Sequence, residues 1–130
     1  MLRITLRDGE KAIVNGAVLR AVGRTQILVE NKVSILRGRE IMRPEEATSP
    51  ARQLYFSTML AYIDPAGRDA HQERVVALLG ALVGGLADPE AKASCIQFAT
   101  NIAHGDYYRA LADARAIIAQ EEAAGEVQAA

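Results

Sequence analysis

The sequence predicts an α+β protein, with a small antiparallel sheet of about five short strands at the N-terminus followed by an all-α part of about four helices. Three observations predict it. Residues 2–7, Leu-Arg-Ile-Thr-Leu-Arg, alternate apolar and polar with the period of a half-buried strand. Turn signals, Asp8-Gly9, Asn15-Gly16 and Gly23-Arg24, recur every few residues through the first part of the chain. From position 50 onward this punctuation gives way to longer segments that open on Ser-Pro or Asp-Pro.

The strands follow in order. After the first, residues 12–14 make a short strand closed by Asn15-Gly16, the dipeptide that best supports a type I′ hairpin turn. Residues 17–22 return, Gly23-Arg24 turns the chain again, and residues 27–30 and 33–36 complete the set. The expected arrangement is an antiparallel meander. A helical reading would place Gly9, Gly16 and Gly23 inside helices at about 1 kcal/mol each relative to Ala.

Residues 44–49 form a junction between the β-rich part, 1–43, and the helical part, 50–123. Ser49-Pro50 caps and starts a helix to about Ile63, with Leu54, Tyr55, Met59, Tyr62 and Ile63 near one face. Asp64-Pro65-Ala66-Gly67 breaks it. A second helix runs from about Asp69 to Leu86, and its apolar positions are too broad for a single stripe. It is therefore buried on more than one side or meets a partner. Asp88-Pro89 starts a third, Glu90 to His104, which Gly105 stops. Asp106 caps a fourth, Tyr107 to about Glu122, and residues 124–130 are expected to fray.

Charge divides the chain. Residues 1–43 carry nine cations against four anions, a net of +5, and residues 44–130 carry six cations against twelve anions, a net of −6. A basic end is a cue for an anionic partner. It also serves simply to keep small sheet edges soluble. No stretch reaches the ~20 apolar residues of a membrane span, and the first residues lack the apolar segment of a secretion signal. With one cysteine, Cys95, there is no internal disulfide, and the expected compartment is the cytoplasm.

Candidates for catalysis fall away one by one. His71 and His104 lie on different predicted helices with no Cys or His at ligand spacing, so no metal or other cofactor is expected. Cys95, among Ala93, Ile96 and Ala99, reads as a buried inert thiol. Gly80, Gly84 and Gly85 lack the Lys-Ser or Lys-Thr of a phosphate loop. Glu45-Glu46 and Glu121-Glu122 read as solvated neighbours, leaving no general acid–base pair. The run Gly105-Asp106-Tyr107-Tyr108 is like the start of a tetratricopeptide helix, but one unit lacks the stacked neighbours such repeats need. Tyr107 and Tyr108 either anchor the core or face a protein partner. Val76, Leu79 and Val83 are partner candidates on the second helix.

The sharpest feature is the arginines. Arg3, Thr5 and Arg7 share one side of the first strand, and Arg37 and Arg39 share a side if extended. Arginine contacts phosphate bidentately, stacks on bases and bonds a guanine edge. Together these residues would make a compact single-strand RNA site, without the aromatic platforms of other RNA-binding sheets, since residues 1–43 contain no Phe, Tyr or Trp.

The segments Leu2-Arg-Ile-Thr-Leu-Arg-Asp-Gly-Glu-Lys11, Ile13-Val-Asn-Gly-Ala-Val18, Leu28-Val-Glu-Asn-Lys-Val-Ser-Ile-Leu-Arg37 and Pro44-Glu-Glu-Ala-Thr-Ser-Pro-Ala-Arg52 resemble the FlbT family of flagellar regulators. The resemblance implies a post-transcriptional repressor that associates with the 5′ untranslated region of flagellin mRNA and promotes its decay, alongside the small helical protein FlaF. An adaptor that binds flagellin or FlaF through the C-terminal helices is the alternative. The opening is also similar, more distantly, to the carbon-storage regulators, RNA-binding dimers with swapped strands. That similarity implies a homodimer in which Ile4 is a contact residue and either Arg37 or Arg39 matches the family's arginine. Arg3, Arg7, Arg37 and Arg39 would then line paired sites on a two-fold dimer.

Overall fold

Asn15 and Gly16 both adopt positive φ, 49° and 84°, as a two-residue type I′ turn requires. This turn joins β2 (Lys11–Val14) to β3 (Ala17–Arg20), and the register Val14–Ala17 to Lys11–Arg20 follows from its length. The computed structural model describes residues 1–86 and 88–129, with side chains through residue 125. It divides into two compact units, Met1–Met42 and Arg43–Ala130. As predicted, the first carries five short antiparallel strands and the second four helices.

The strands do not form the expected meander. β1 (Leu2–Leu6) pairs with β4 (Thr25–Val29), while β5 (Ile35–Arg37) pairs with β2 to give the order β3-β2-β5. The pairs Leu2–Val29 to Leu6–Thr25 continue the register that the Asn15-Gly16 turn sets for β2 and β3. Residues 2–29 are thus one long hairpin, interrupted halfway. At the interruption the amides of Gly9 and Ala21 donate to the carbonyls of Ala21 and Glu10 at 2.8 and 2.9 Å. Four residues on each side, 7–10 and 21–24, break the ladder without shifting its register, and the ribbon kinks there. Asp8 Oδ1 accepts from the Gly23 amide across the bend (2.8 Å), and Glu10 Oε1 accepts from the Arg7 amide (2.9 Å). Asp8-Gly9 and Gly23-Arg24 are therefore the two sides of a kink, not separate reversals.

The kink lets Leu6, Ala12 and Ala21 close on one another with Ile27 against them. Successive residues of β2, Ala12 and Ile13, point to opposite faces of the sheet and are both buried, Ala12 within the Leu6–Ala21 cluster. Ile4 and Leu6 point into the core as the alternation predicts, whereas Leu2, at the open end of a two-stranded sheet, is half exposed.

In the second unit α1 (Pro50–Ile63) begins where Ser49 Oγ accepts from the Arg52 amide (3.2 Å). α2 spans Arg68–Gly84. α3 (Pro89–Ala103) is capped by Asp88, and Gly105 at φ 72° turns the chain into α4 (Tyr107–Ala129). α1 packs against α2 and α4, and α3 packs against α4. Its burial wraps round the helix: Ala51, Ser57, Thr58 and Ala61 are buried with Leu54, Tyr55 and Met59, while Tyr62 and Ile63 are only half-buried. Thr58 tolerates this because its hydroxyl donates to the Leu54 carbonyl (2.7 Å). α4 continues past Glu122, where the pattern predicted its end, to Ala129, because Ala123, Ala124, Glu126, Gln128 and Ala129 favour the helix and offset Gly125. Of the tail expected to fray, 124–130, Ala130 and the side chains from 126 lie outside the described residues.

Two predictions follow the two units. Replacing Gly16 by Val forces a branched side chain into positive φ and should cost roughly 1–2 kcal/mol or more. Amide exchange should then accelerate across β2 and β3 while the helical unit keeps its protection. In the helical unit, Asp64 sits in the α1–α2 turn with Oδ2 2.9 Å from His71 Nε2 and Oδ1 accepting from the Gly67 amide. These bonds hold its carboxyl below the ordinary range. Its stabilisation is therefore present above the unfolded pKa, about 3.9, and is lost as pH falls through the lower folded value. The gap in Tm between the native chain and Asp64→Asn should narrow on acidification below about pH 4.

Candidate nucleic-acid interface

In the first sheet the register sets Arg3 opposite Leu28 and Thr5 opposite Gln26. Arg3 and Thr5 thus share the face opposite Ile4 and Leu6, and Arg7 follows just beyond the strand. Ile4, a contact residue by resemblance, is 2% exposed, so its side chain belongs to the core of this chain.

Arg37 lies on the other sheet, at the end of β5 opposite Ala12. Arg39 does not share its side as an extended chain would place it. Gly38, at φ 55°, starts a 3₁₀ turn over Gly38–Glu40 that carries Arg39 away from the strand direction. The Glu40 carboxylate closes this turn by accepting from the Arg37 amide (3.1 Å). Within one chain, then, β1 lies beside β4 and β5 beside β2, and the two arginine groups stand on different sheets.

The electrostatics of the unit follow from how its acids are used. Asp8, Glu10 and Glu40 each accept a hydrogen bond from a backbone amide, those of Gly23, Arg7 and Arg37. The ion pairs Arg43–Glu45, Arg43–Glu46, Arg52–Glu122, His71–Asp64 and Arg109–Asp106 all lie from Arg43 onward. Arg3, Arg7, Arg20, Arg24, Arg37 and Arg39 are exposed and take part in none of them. Carboxylates committed to holding turns leave the guanidinium groups facing solvent. The pattern also brings Lys11 directly opposite Arg20, a like-charge pair that by itself is unfavourable and that an anion would relieve. Sequence reasoning missed this pair, although the two-residue turn at Asn15-Gly16 fixes it by counting back from the hairpin.

The helical candidates separate as well. On α2, Val76 is 58% exposed and Val83 is exposed, with Leu79 half-buried between them, so this stripe faces solvent. Tyr107 is buried: its hydroxyl donates to Gln72 Oε1 (3.1 Å) and Arg68 stacks over its ring at 5.4 Å. It therefore anchors the core and offers no surface. Tyr108 is half exposed, its ring centroid 5.9 Å from that of Tyr62. Cys95 is buried, and burial pushes its thiol pKa up, away from nucleophilic character. No group of three or more His, Cys, Asp or Glu side chains able to hold a metal ion occurs among the described residues. No helix among them is long and apolar enough to cross a membrane.

Comparison with known proteins follows the same residues. The family model described as flagellar protein FlbT matches residues 2–124. The chain is 35% identical over 122 residues to the flagellum biosynthesis repressor protein FlbT of Caulobacter vibrioides, covering 93% of this chain and 86% of that one. It is 35% identical to the probable flagellum biosynthesis repressor FlbT of Caulobacter sp. strain K31, covering 93% of each chain. The corresponding Agrobacterium fabrum protein is 32% identical, with 93% and 81% covered. No solved structure matches. The match spans both the kinked ribbon and the helices, and the chain belongs to the FlbT family of flagellar proteins.

Proposed function

We propose that this chain is a cytoplasmic repressor in flagellum biosynthesis that binds the 5′ untranslated region of flagellin mRNA through its N-terminal sheets and promotes that message's decay. The names of its relatives support the repressor role. One observation carries the RNA role: three of the four acids of the N-terminal unit, Asp8, Glu10 and Glu40, are tied to backbone amides while its arginines are exposed and outside every ion pair found. Such a surface attracts a polyanion and has no aromatic platform, so contacts to phosphate and to base edges through arginine would dominate.

A homodimer completes this reading. The N-terminal unit is near the lower size limit for an independent core. It leaves Leu2, Val18, Val22 and Leu28 exposed. A second copy covering these side chains would also supply the arginine group that one chain keeps on its other sheet. The exposed Val76 and Val83 favour a second contact, in which α2 meets a protein such as flagellin or FlaF.

A gel-shift with a flagellin leader transcript tests the RNA role. The double substitution Arg37→Ala with Arg39→Ala should weaken binding at least about tenfold, given ~1–3 kcal/mol per specific contact, with an unchanged circular dichroism spectrum. Native affinity should fall steeply with added salt, and the variant should show a shallower slope as fewer counterions are released. Unaltered binding by the variant would remove these two residues from the site.

A further inference from the structure

The two ends of the helical unit are packed differently. At the end where α1 finishes and α2 and α4 begin, large side chains close the core: Tyr107 against Gln72 and Arg68, and Tyr62 against Tyr108. At the other end, where α1 and α3 begin and α2 finishes, a cleft of about 1210 Å³ runs in between α2 and the far half of α4. Its walls are Leu78 and Leu82 of α2 and Ile117 of α4, and its margin is cut low by the small residues Ala81, Gly85 and Ala124. The lining runs over 78–82 on α2, continues through Gly85 and Leu86 just past that helix's end, and covers 117–125 on α4, about 12 Å at the rise of an α-helix. That length accommodates roughly two helical turns, enough for anchors at i, i+4 and i+7.

The rim carries a charge. Asp88, Glu121 and Glu122 lie on it with one cation, Arg52. Glu122 pairs with Arg52 at 2.8 Å, and one carboxylate oxygen each of Glu121 and Asp88 accepts from the Ala51 and Glu90 amides at 3.1 and 3.2 Å, which leaves a formal excess of negative charge. Gln120, also on the lining, donates through Nε2 to Ser94 Oγ (3.0 Å), while its Oε1, shielded from solvent, has no donor among the described residues. An apolar trough with a net acidic edge is complementary to an apolar stripe flanked by lysine or arginine.

We propose that this cleft is the receptor for a short, positively charged amphipathic helix of a partner protein. The site is distinct from the solvent-facing stripe of Val76 and Val83, which lies on another side of α2. It is also independent of the RNA reading, since every residue involved belongs to the helical unit.

The test uses the full chain and two labelled helical peptides of about 14 residues. Both carry leucines at i, i+4 and i+7; one has lysine flanks and the other glutamate flanks. In fluorescence anisotropy the lysine peptide should bind at least about tenfold tighter than its sibling. Ala124→Trp, which fills the cleft from an exposed position, should abolish that binding, whereas Val76→Ser should leave it intact. Glu122→Gln removes one rim charge and should narrow the preference even if the tryptophan variant does not fold. Equal binding of the two peptides, or binding indifferent to Ala124→Trp, would overturn the proposal. So would a change in sedimentation on Ala124→Trp without peptide binding, which would assign the cleft to a second copy of this chain.

Discussion

The N-terminal unit depends on one reversal. Asn15 and Gly16 set a register that persists to Leu2 and Val29, so a local backbone choice fixes which side chains meet at the far end of the ribbon. Asn15 also reaches beyond its own hairpin. Its side-chain oxygen accepts from the Ser34 amide (3.1 Å), and its own amide donates to the Ser34 carbonyl (2.8 Å), just ahead of β5. The residue that tolerates positive φ therefore also docks the strand that buries the second edge of β2. With so small a core, little else in the unit could compensate for a slipped register.

The helical unit follows another rule. Its buried positions on α3, Ala91, Cys95, Phe98 and Ile102, and on α4, Tyr107, Ala110, Leu111, Ala114 and Ile117, recur at helical spacing and make one interlocking seam. Polar side chains bridge that seam: Asn101 Nδ2 donates to Asp113 Oδ2 at 2.6 Å and Gln120 Nε2 to Ser94 Oγ at 3.0 Å. α2 stands apart, with Val75 its only buried residue among many apolar ones. Its breadth of apolar surface, visible in the sequence, reflects a helix covered along one line and open along others.

How much of this was legible depended on how local the signal was. The helix starts at Pro50 and Pro89 and the stop at Gly105 were readable because capping is decided within a few residues. The Asn15-Gly16 turn was readable for the same reason. The kink was not: Asp8-Gly9 looks the same whether the chain reverses or merely bends, and the choice is made by Gly23, fifteen residues away. The Arg37–Arg39 relation failed because Gly38 curls the backbone between them. The burial of Thr58 failed because a hydroxyl satisfied by its own helix does not register in an apolar pattern.

The bend in the ribbon also constrains how such chains can vary in length. Because both arms share one register on either side of it, a single residue added to 7–10 alone would turn β1 over relative to β4. Its arginine face would exchange places with Ile4 and Leu6. An insertion there is neutral to the register only if matched by another within 21–24. Changes of length in this unit must therefore come in pairs across the kink, or be confined to the link between β4 and β5 ahead of Ser34, residues 30–33, where no strand partner keeps count.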